Sequence, residues 1–450
     1  MRKFFLGVML VLGVYASAVA QDNLPPGPYD LQTCVNVALE NNINLRRTQA
    51  NQQITEATLL QNQGQRIPSF SMGASSGYRW GRSINPVTNL FENNRIGNIN
   101  LFANSNVTLF GGMRINNSIS QARKDLEAGQ FTLQATTNQV TLDVINQFIN
   151  VVFNREQVKI AENQLKTTTD QLARTTKLVE AGSLPLSDQL DIQAQNSTNT
   201  LEVVNAQNSL RQAKLALAQA MQVPFSDNFD IVAPEFEVTS YDLDTNNPTA
   251  IFEVAVNLMP EIKASEAGME SAEYAVKIAR GAYLPTLGLG ANVFSNYVDQ
   301  PGFGSNEIPA FTTQVGNNLS QSANLQLNIP IFTNFNNRAG LQRARAQKQL
   351  AELDNLQAKN QLRQDIETAY NQALASEQSY QASLIRVKSL NESFRIAQQR
   401  FDLGAINSVD YQVAQANLFN AQADLLNAKY TYIFRVKVLD FYLGNTINLN

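Results

Sequence analysis

The segment VINQFINVVFNREQVKIAENQLKTTTDQLARTTKLV, residues 144–179, is apolar at every seventh position: Val144, Val151, Val158, Leu165, Leu172 and Val179. Further along the chain a second series with the same spacing returns: Ile366, Ala373, Tyr380, Val387, Phe394 and Phe401. A period of seven keeps one narrow stripe of a helix against a neighbour, because supercoiled helices repeat at 3.5 residues per turn. Between the stripes the residues are polar but poor in charge, with Asn, Gln, Thr and Ser leading. The segment predicts a long, hydrated helix touching neighbours along a seam, not the surface helix of a compact globule.

Outward from that segment, Gly111-Gly112 precedes a long helix over 113–180, and Gly182 stops it as a left-handed C-terminal residue would. After a turn at 183–187, a return helix covers 187–220. Upstream, a helix over 36–66 ends at Pro68. Between the two lies a β-hairpin, 68–110. Its first strand alternates Phe70, Met72, Ala74, Tyr78 and Trp80 with Ser69, Ser71, Gly73, Ser75, Gly77 and Arg79. Its second alternates Ile99, Leu101, Ala103, Val107 and Leu109 with Asn100, Asn104, Asn106 and Thr108, across a loop at 81–98.

The pattern then repeats: a helix over 253–283, a hairpin over 285–332, a long helix over 335–402 stopped by Gly404, and a return helix over 408–443. The hairpin alternates Leu287, Leu289, Ala291, Val293 and Tyr297 with Gly288, Gly290, Asn292 and Asn296; after a loop at 298–321, Leu325 and Leu327 alternate with Asn324 and Gln326. One offset carries Pro68 to Pro285, and a slightly longer one carries Gly182 to Gly404. The offset changes only across the hairpins, which predicts a tandem duplication with hairpins of unequal length. Repeat one is 21–222 and repeat two 253–444, with a linker at 223–252 and a tail at 445–450. In repeat one the two shorter helices, end to end, match the long one in length.

The N-terminus reads as a secretory signal over 1–20. Arg2 and Lys3 precede an apolar run, and Ala18 and Ala20 offer cleavage sites. No later run reaches the ~18 apolar residues of a spanning helix, so a membrane crossing would have to use strands. Charged residues make up 16% of the chain with a net charge of −4, and no basic stretch provides a nucleic-acid footprint. Without His, and with Cys34 alone, neither imidazole catalysis nor a thiolate metal cluster is available. Seven Met and no His give no support for a specialisation in metal export. No catalytic triad, carboxylate cleft or phosphate loop emerges, so the chain reads as a non-enzyme without a cofactor.

Four amphipathic strands cannot close a barrel, and an open edge is not tolerated in lipid. Several chains must each donate four strands. The alternation predicts Phe70, Met72, Leu101, Leu287, Leu289, Leu325 and Leu327 toward lipid, and Asn100, Asn104, Asn324 and Gln326 toward a wet lumen. Tyr78, Trp80 and Tyr297 read as an aromatic girdle at the outer lipid interface, with strand packing as the plainer role.

The signal, the two repeats, the paired hairpins and the turn Gly404–Asp410 together resemble the TolC-type outer-membrane efflux proteins over nearly the whole mature chain. The resemblance implies an α+β membrane protein and a homotrimer. A 12-stranded outer-membrane β-barrel would stand over a long α-helical coiled-coil barrel reaching into the periplasm. The implied function is the exit duct of a tripartite efflux or type I secretion system, joined by a periplasmic adaptor to an inner-membrane pump of RND or ABC type. It also implies an equatorial belt from the linker and chain ends, and a periplasmic gate where long helix turns into return helix. Those turns run from Gly182 to Asp188 and from Gly404 to Asp410. Asp410 matches the family's constriction acid; Val413 stands where a second acid is usual, Phe401 where the family has Tyr, and Ile406 where it has Arg. Asp188 is the matching acid of repeat one. An acid in the first turn of a helix is also favoured by the helix dipole alone, which leaves a capping role open for both. The competing reading is a periplasmic coiled-coil adaptor or structural protein, which needs no hairpins of lipid-crossing length.

Overall fold

The computed structural model describes residues 28–85, 87–226, 228–232, 247–301 and 307–445. The expected signal at 1–20, most of the linker and the tail at 446–450 lie outside them. The chain opens with α1 (Leu31–Asn41) and α2 (Ile43–Gly64). The single helix expected over 36–66 is therefore two, and it begins earlier, at Leu31. Asp30 caps α1 by accepting from the Thr33 amide. Asn42 is extended (φ −61, ψ 117) and its side chain caps α2 at the Leu45 amide. The helix expected over 253–283 also divides, into α5 (Pro248–Leu258) and α6 (Pro260–Gly281). Here Pro260 forces the residue before it, Met259, into the extended region. Asn42 and Met259 are equivalent positions of the two repeats, so the break itself is duplicated.

Strands β1 (Ser69–Ile84) and β2 (Phe91–Gly111) follow α2, and β3 (Thr286–Val298) and β4 (Ser320–Asn328) follow α6. They form one antiparallel sheet in the order β1-β2-β3-β4. The first hairpin is longer than its alternation predicts: Arg82↔Asn93 and Ile84↔Phe91 pair within the expected loop, because the backbone ladder does not require apolar side chains. The second loop, expected to be irregular, contains a short helix, α7 (Phe311–Asn317), tied to β3 through Gln314 and the Val298 amide. A bulge between Thr108 and Phe110 sets Phe110, not Leu109, opposite Leu287.

The register sorts the side chains by face. One row reads Ser71, Asn104, Asn292, Ser322; the next reads Ser69, Asn106, Gly290, Asn324. The amides of Asn324 and Asn106 lie over Gly290, and Asn292 donates to Asn104. Met72, Ala103 and Val293 share the other face, as do Val107, Leu289 and Leu325. At the helical end of the sheet, Ser69, Asn106, Asn324 and Gln326 line a hollow of about 700 Å³ together with Leu289 and Arg114.

Below the sheet run α3 (Arg114–Glu180) and α4 (Leu186–Ala220), then α8 (Asn336–Asp402) and α9 (Ser408–Tyr442). At 67 residues, α3 and α8 are each about 100 Å long. Among the described residues, no helix is long and apolar enough to cross a membrane. Helix α3 packs on α4, α2 and α6, and α8 on α9 and α6. Two cores lie at corresponding heights. The first joins Val144, Phe148 and Val151 of α3 to Leu217 of α4, Ala38 of α1 and Ile433 of α9. The second joins Ile366 and Ala373 of α8 to Leu439 of α9 and Ile251 of α5. Residues 228–232 of the linker are docked, with Val232 donating to Tyr29 and Asp230 joined to Arg155 and Lys214. Helix α5 takes up the linker's end.

Candidate constriction at the helical tip

Both long helices end in the same way. Gly182 (φ 72) and Gly404 (φ 69) are left-handed, and the following amides reach back, Ser183 to the Leu178 carbonyl and Ala405 to that of Arg400. This is the hydrogen bonding of a glycine-ended helix, which another residue would strain. The return helices start differently. Asn407 caps α9 by accepting from the Asp410 amide at 2.8 Å. Pro185 precedes α4 with no side-chain cap, and the Asp188 amide donates to the Pro185 carbonyl at 3.2 Å. The two acids thus sit at equivalent first-turn positions, Asp410 exposed and Asp188 half-buried. Val413, one turn beyond Asp410, is 54% exposed.

Phe401 lies elsewhere. It is buried in a cluster with Tyr411 and Ile192, flanked by Phe394, Leu172 and Ile406. Its ring stacks on Tyr411 at 4.9 Å, and Phe394 packs on the same tyrosine at 5.6 Å. Burial first, then the nearby Asp402 carboxylate, push the Tyr411 hydroxyl up to about 12, partly offset by Arg174. Beside this cluster Arg174 of α3 donates to Asp402 of α8 at 2.6 Å. Ser408 of α9 donates to Asp191 of α4 at 3.4 Å. Asp410 and Val413 are thus presented outward at the tip with Asp188 half-covered, whereas Phe401 fastens α8 to α9 and α4.

Sequence reasoning missed Tyr411, Arg174 and Asp402. The last two stand on different repeats and no spacing rule links them. At the other end, Tyr78 and Trp80 pack on each other and are 55% and 72% exposed on the apolar face of β1. Tyr297 shares that face, opposite Ile99, and packs on Phe311 of α7.

A sheet with one largely polar and one largely apolar face, continued by about 100 Å of paired helices, is the architecture expected of one subunit of a tubular outer-membrane exporter. The chain belongs to the outer membrane efflux protein family, whose model matches it twice, over residues 34–222 and 253–445. The alkaline protease secretion protein AprF of Pseudomonas aeruginosa is 22% identical over 69% of this chain and 62% of its own length, so the chain spans less than two thirds of AprF. The outer membrane protein TolC of Vibrio cholerae is 24% identical over 73% of this chain and 72% of its own. Among solved structures, the CmeC outer membrane channel of Campylobacter jejuni superposes with a TM-score of 0.77 at 18% identity, covering 93% of this chain and 87% of that one. That likeness places the chain in the fold of these channels.

Proposed function

We propose that this protein is the outer-membrane exit duct of a tripartite efflux or type I secretion system. It works as a homotrimer. Each chain donates four strands to a 12-stranded barrel, and its helices form one third of a periplasmic tunnel. The observation that carries the reading is the strand register. It gathers most of the Ser, Asn, Gln and Gly on one face, Phe102 and Phe294 among them, and most of the apolar residues on the other, with β1 and β4 left as open edges. Open edges cannot persist in hydrocarbon, and edge-to-edge closure of three sheets removes them. An adaptor would need neither face.

At the periplasmic tip the three Asp410 carboxylates converge on the axis as a cation-favouring ring, with Val413 as an apolar ring one turn away. Asp188 braces the neighbouring turn. A periplasmic adaptor then links the tip to an inner-membrane pump of RND or ABC type. The polar lining, charged at Arg79 and Glu92 but otherwise mostly neutral, suits small molecules and secreted polypeptides alike. The test is reconstitution of purified protein in planar bilayers together with gel mobility before and after heating. A heat-dissociable trimer with unitary ion conductance is expected. A soluble monomer without conductance would overturn the duct in favour of the adaptor reading.

A further inference from the structure

At the far end of the first hairpin, two arginines stand on the apolar face of the sheet. Trp80 pairs with Arg95, and Arg82 follows two residues after Trp80, so both guanidinium groups share the face of Met72, Tyr78 and Leu101. From Phe70 to Trp80 the strand rises about 33 Å, or about 25 Å along the membrane normal at a tilt of about 40°. That matches the apolar band of an outer-membrane barrel and puts Tyr78 and Trp80 at its outer rim. Arg82 then stands about 5 Å above, at the depth of lipid headgroups.

Both arginines are exposed. Arg82 lies over the Phe91 ring at 5.0 Å and Arg95 over the Tyr78 ring at 4.7 Å. Stacking uses the flat face of a guanidinium and leaves its N–H edges free. Among the described residues no carboxylate forms an ion pair with either one. Glu92 belongs to the opposite face, opposite Ser83, where Asn85 and Thr88 donate to it. Asp299 lies beside Gly97 and makes no ion pair with Arg95. Two unpaired, aromatic-braced cations at the depth of lipid headgroups, with their N–H edges outward, are placed to meet an anionic headgroup.

We propose that Arg82 and Arg95 form a binding site for an anionic lipid headgroup of the outer leaflet that carries a phosphomonoester, one per chain. Bidentate guanidinium–phosphate contacts hold the headgroup while Tyr78 and Trp80 pack along the first acyl carbons. The site rests on the duct reading above, which sets Trp80 at the outer surface. Trp80 is the sole tryptophan of the chain and serves as the reporter. The full-length protein is reconstituted in phosphatidylcholine vesicles carrying one of three lipids with an energy acceptor near the headgroup: phosphorylated lipid A, dephosphorylated lipid A, or zwitterionic phosphatidylethanolamine.

Transfer from Trp80 should be strongest to phosphorylated lipid A. Each arginine contributes roughly fivefold local enrichment, so Arg82→Gln with Arg95→Gln should lower that enrichment by about 25-fold. Arg82→Lys with Arg95→Lys should keep part of it, and transfer to the zwitterionic lipid should be unchanged by either pair. Equal transfer to both forms of lipid A, or full retention in the Gln pair, would overturn phosphate recognition alone. Absence of transfer even to the zwitterionic lipid would show Trp80 away from the membrane surface and overturn the duct reading with it.

Discussion

Two kinds of contact fasten the helical tip, and their magnitudes separate them. The ion pair Arg174–Asp402 bridges α3 and α8 at 2.6 Å, but its side chains are 57% and 38% exposed. An exposed pair of this sort contributes about 0–1 kcal/mol. Beside it Phe401 is 9% exposed and Tyr411 1%, stacked at 4.9 Å. Truncating such a ring to Ala costs about 3–5 kcal/mol, the lost transfer energy plus the cavity left among Ile192, Phe394 and Tyr411. Apolar packing, not charge, therefore holds this end of the chain closed on itself.

Phe401→Ala should raise local opening of the tip by roughly two to three and a half orders of magnitude, since the tenfold step is about 1.4 kcal/mol. Asp402→Asn should raise it by no more than about fivefold. Hydrogen exchange of the reconstituted protein, read over residues 394–415, measures both directly. Amides in α3 near Val144, deep in the separate core around Phe148, serve as the internal reference. If Asp402→Asn exposes the tip as much as Phe401→Ala does, the ion pair is the fastener and the ranking is wrong.

Asp410→Asn keeps the shape of the first turn of α9 and removes its charge, so cation selectivity and block by trivalent ions from the periplasmic side should both fall in bilayer recordings, and Asp188→Asn should change them less. Tyr411 titrates at about 12 in the folded chain against an ordinary value of 10.0. Because the folded value is raised, its contribution to stability is whole below pH 10 and is lost as pH rises through 12, by about 2–3 kcal/mol. Thermal melts across that window should show the loss in the native protein and a smaller one in Tyr411→Phe. Asn42→Ala removes the side-chain cap on α2 and should cost about 1 kcal/mol, seen as a lowered melting temperature without loss of the assembled form.

What can be read in the sequence follows from how far apart the interacting residues are. The heptad stripe is visible because a seam writes its period into one helix: Val144, Val151, Ile366 and Ala373 are buried, and Val158, Leu165, Tyr380 and Val387 half-buried. Alternation in the strands is visible for the same reason, and it assigns the faces of Met72, Asn104 and Leu325 without any knowledge of the pairing. The bulge at Thr108 is not, because a one-residue slip depends on the partner strand, and it alone moves Phe110 to the apolar face. Breaks in the shorter helices are half visible. Pro260 announces one, whereas Asn42 acts through a cap that its sequence neighbours do not require.

Least visible is the tip, where Phe401 belongs to the heptad series and yet its role is set by Tyr411, Ile192 and the Arg174–Asp402 bridge, drawn from four helices. Gly182 and Gly404 shape that end of the chain, but the strength of its closure is decided by packing between segments that no local pattern connects. Phe401 and Ile406 both pack into the apolar cluster, so this end is fastened by apolar contact with Ile192 and Tyr411.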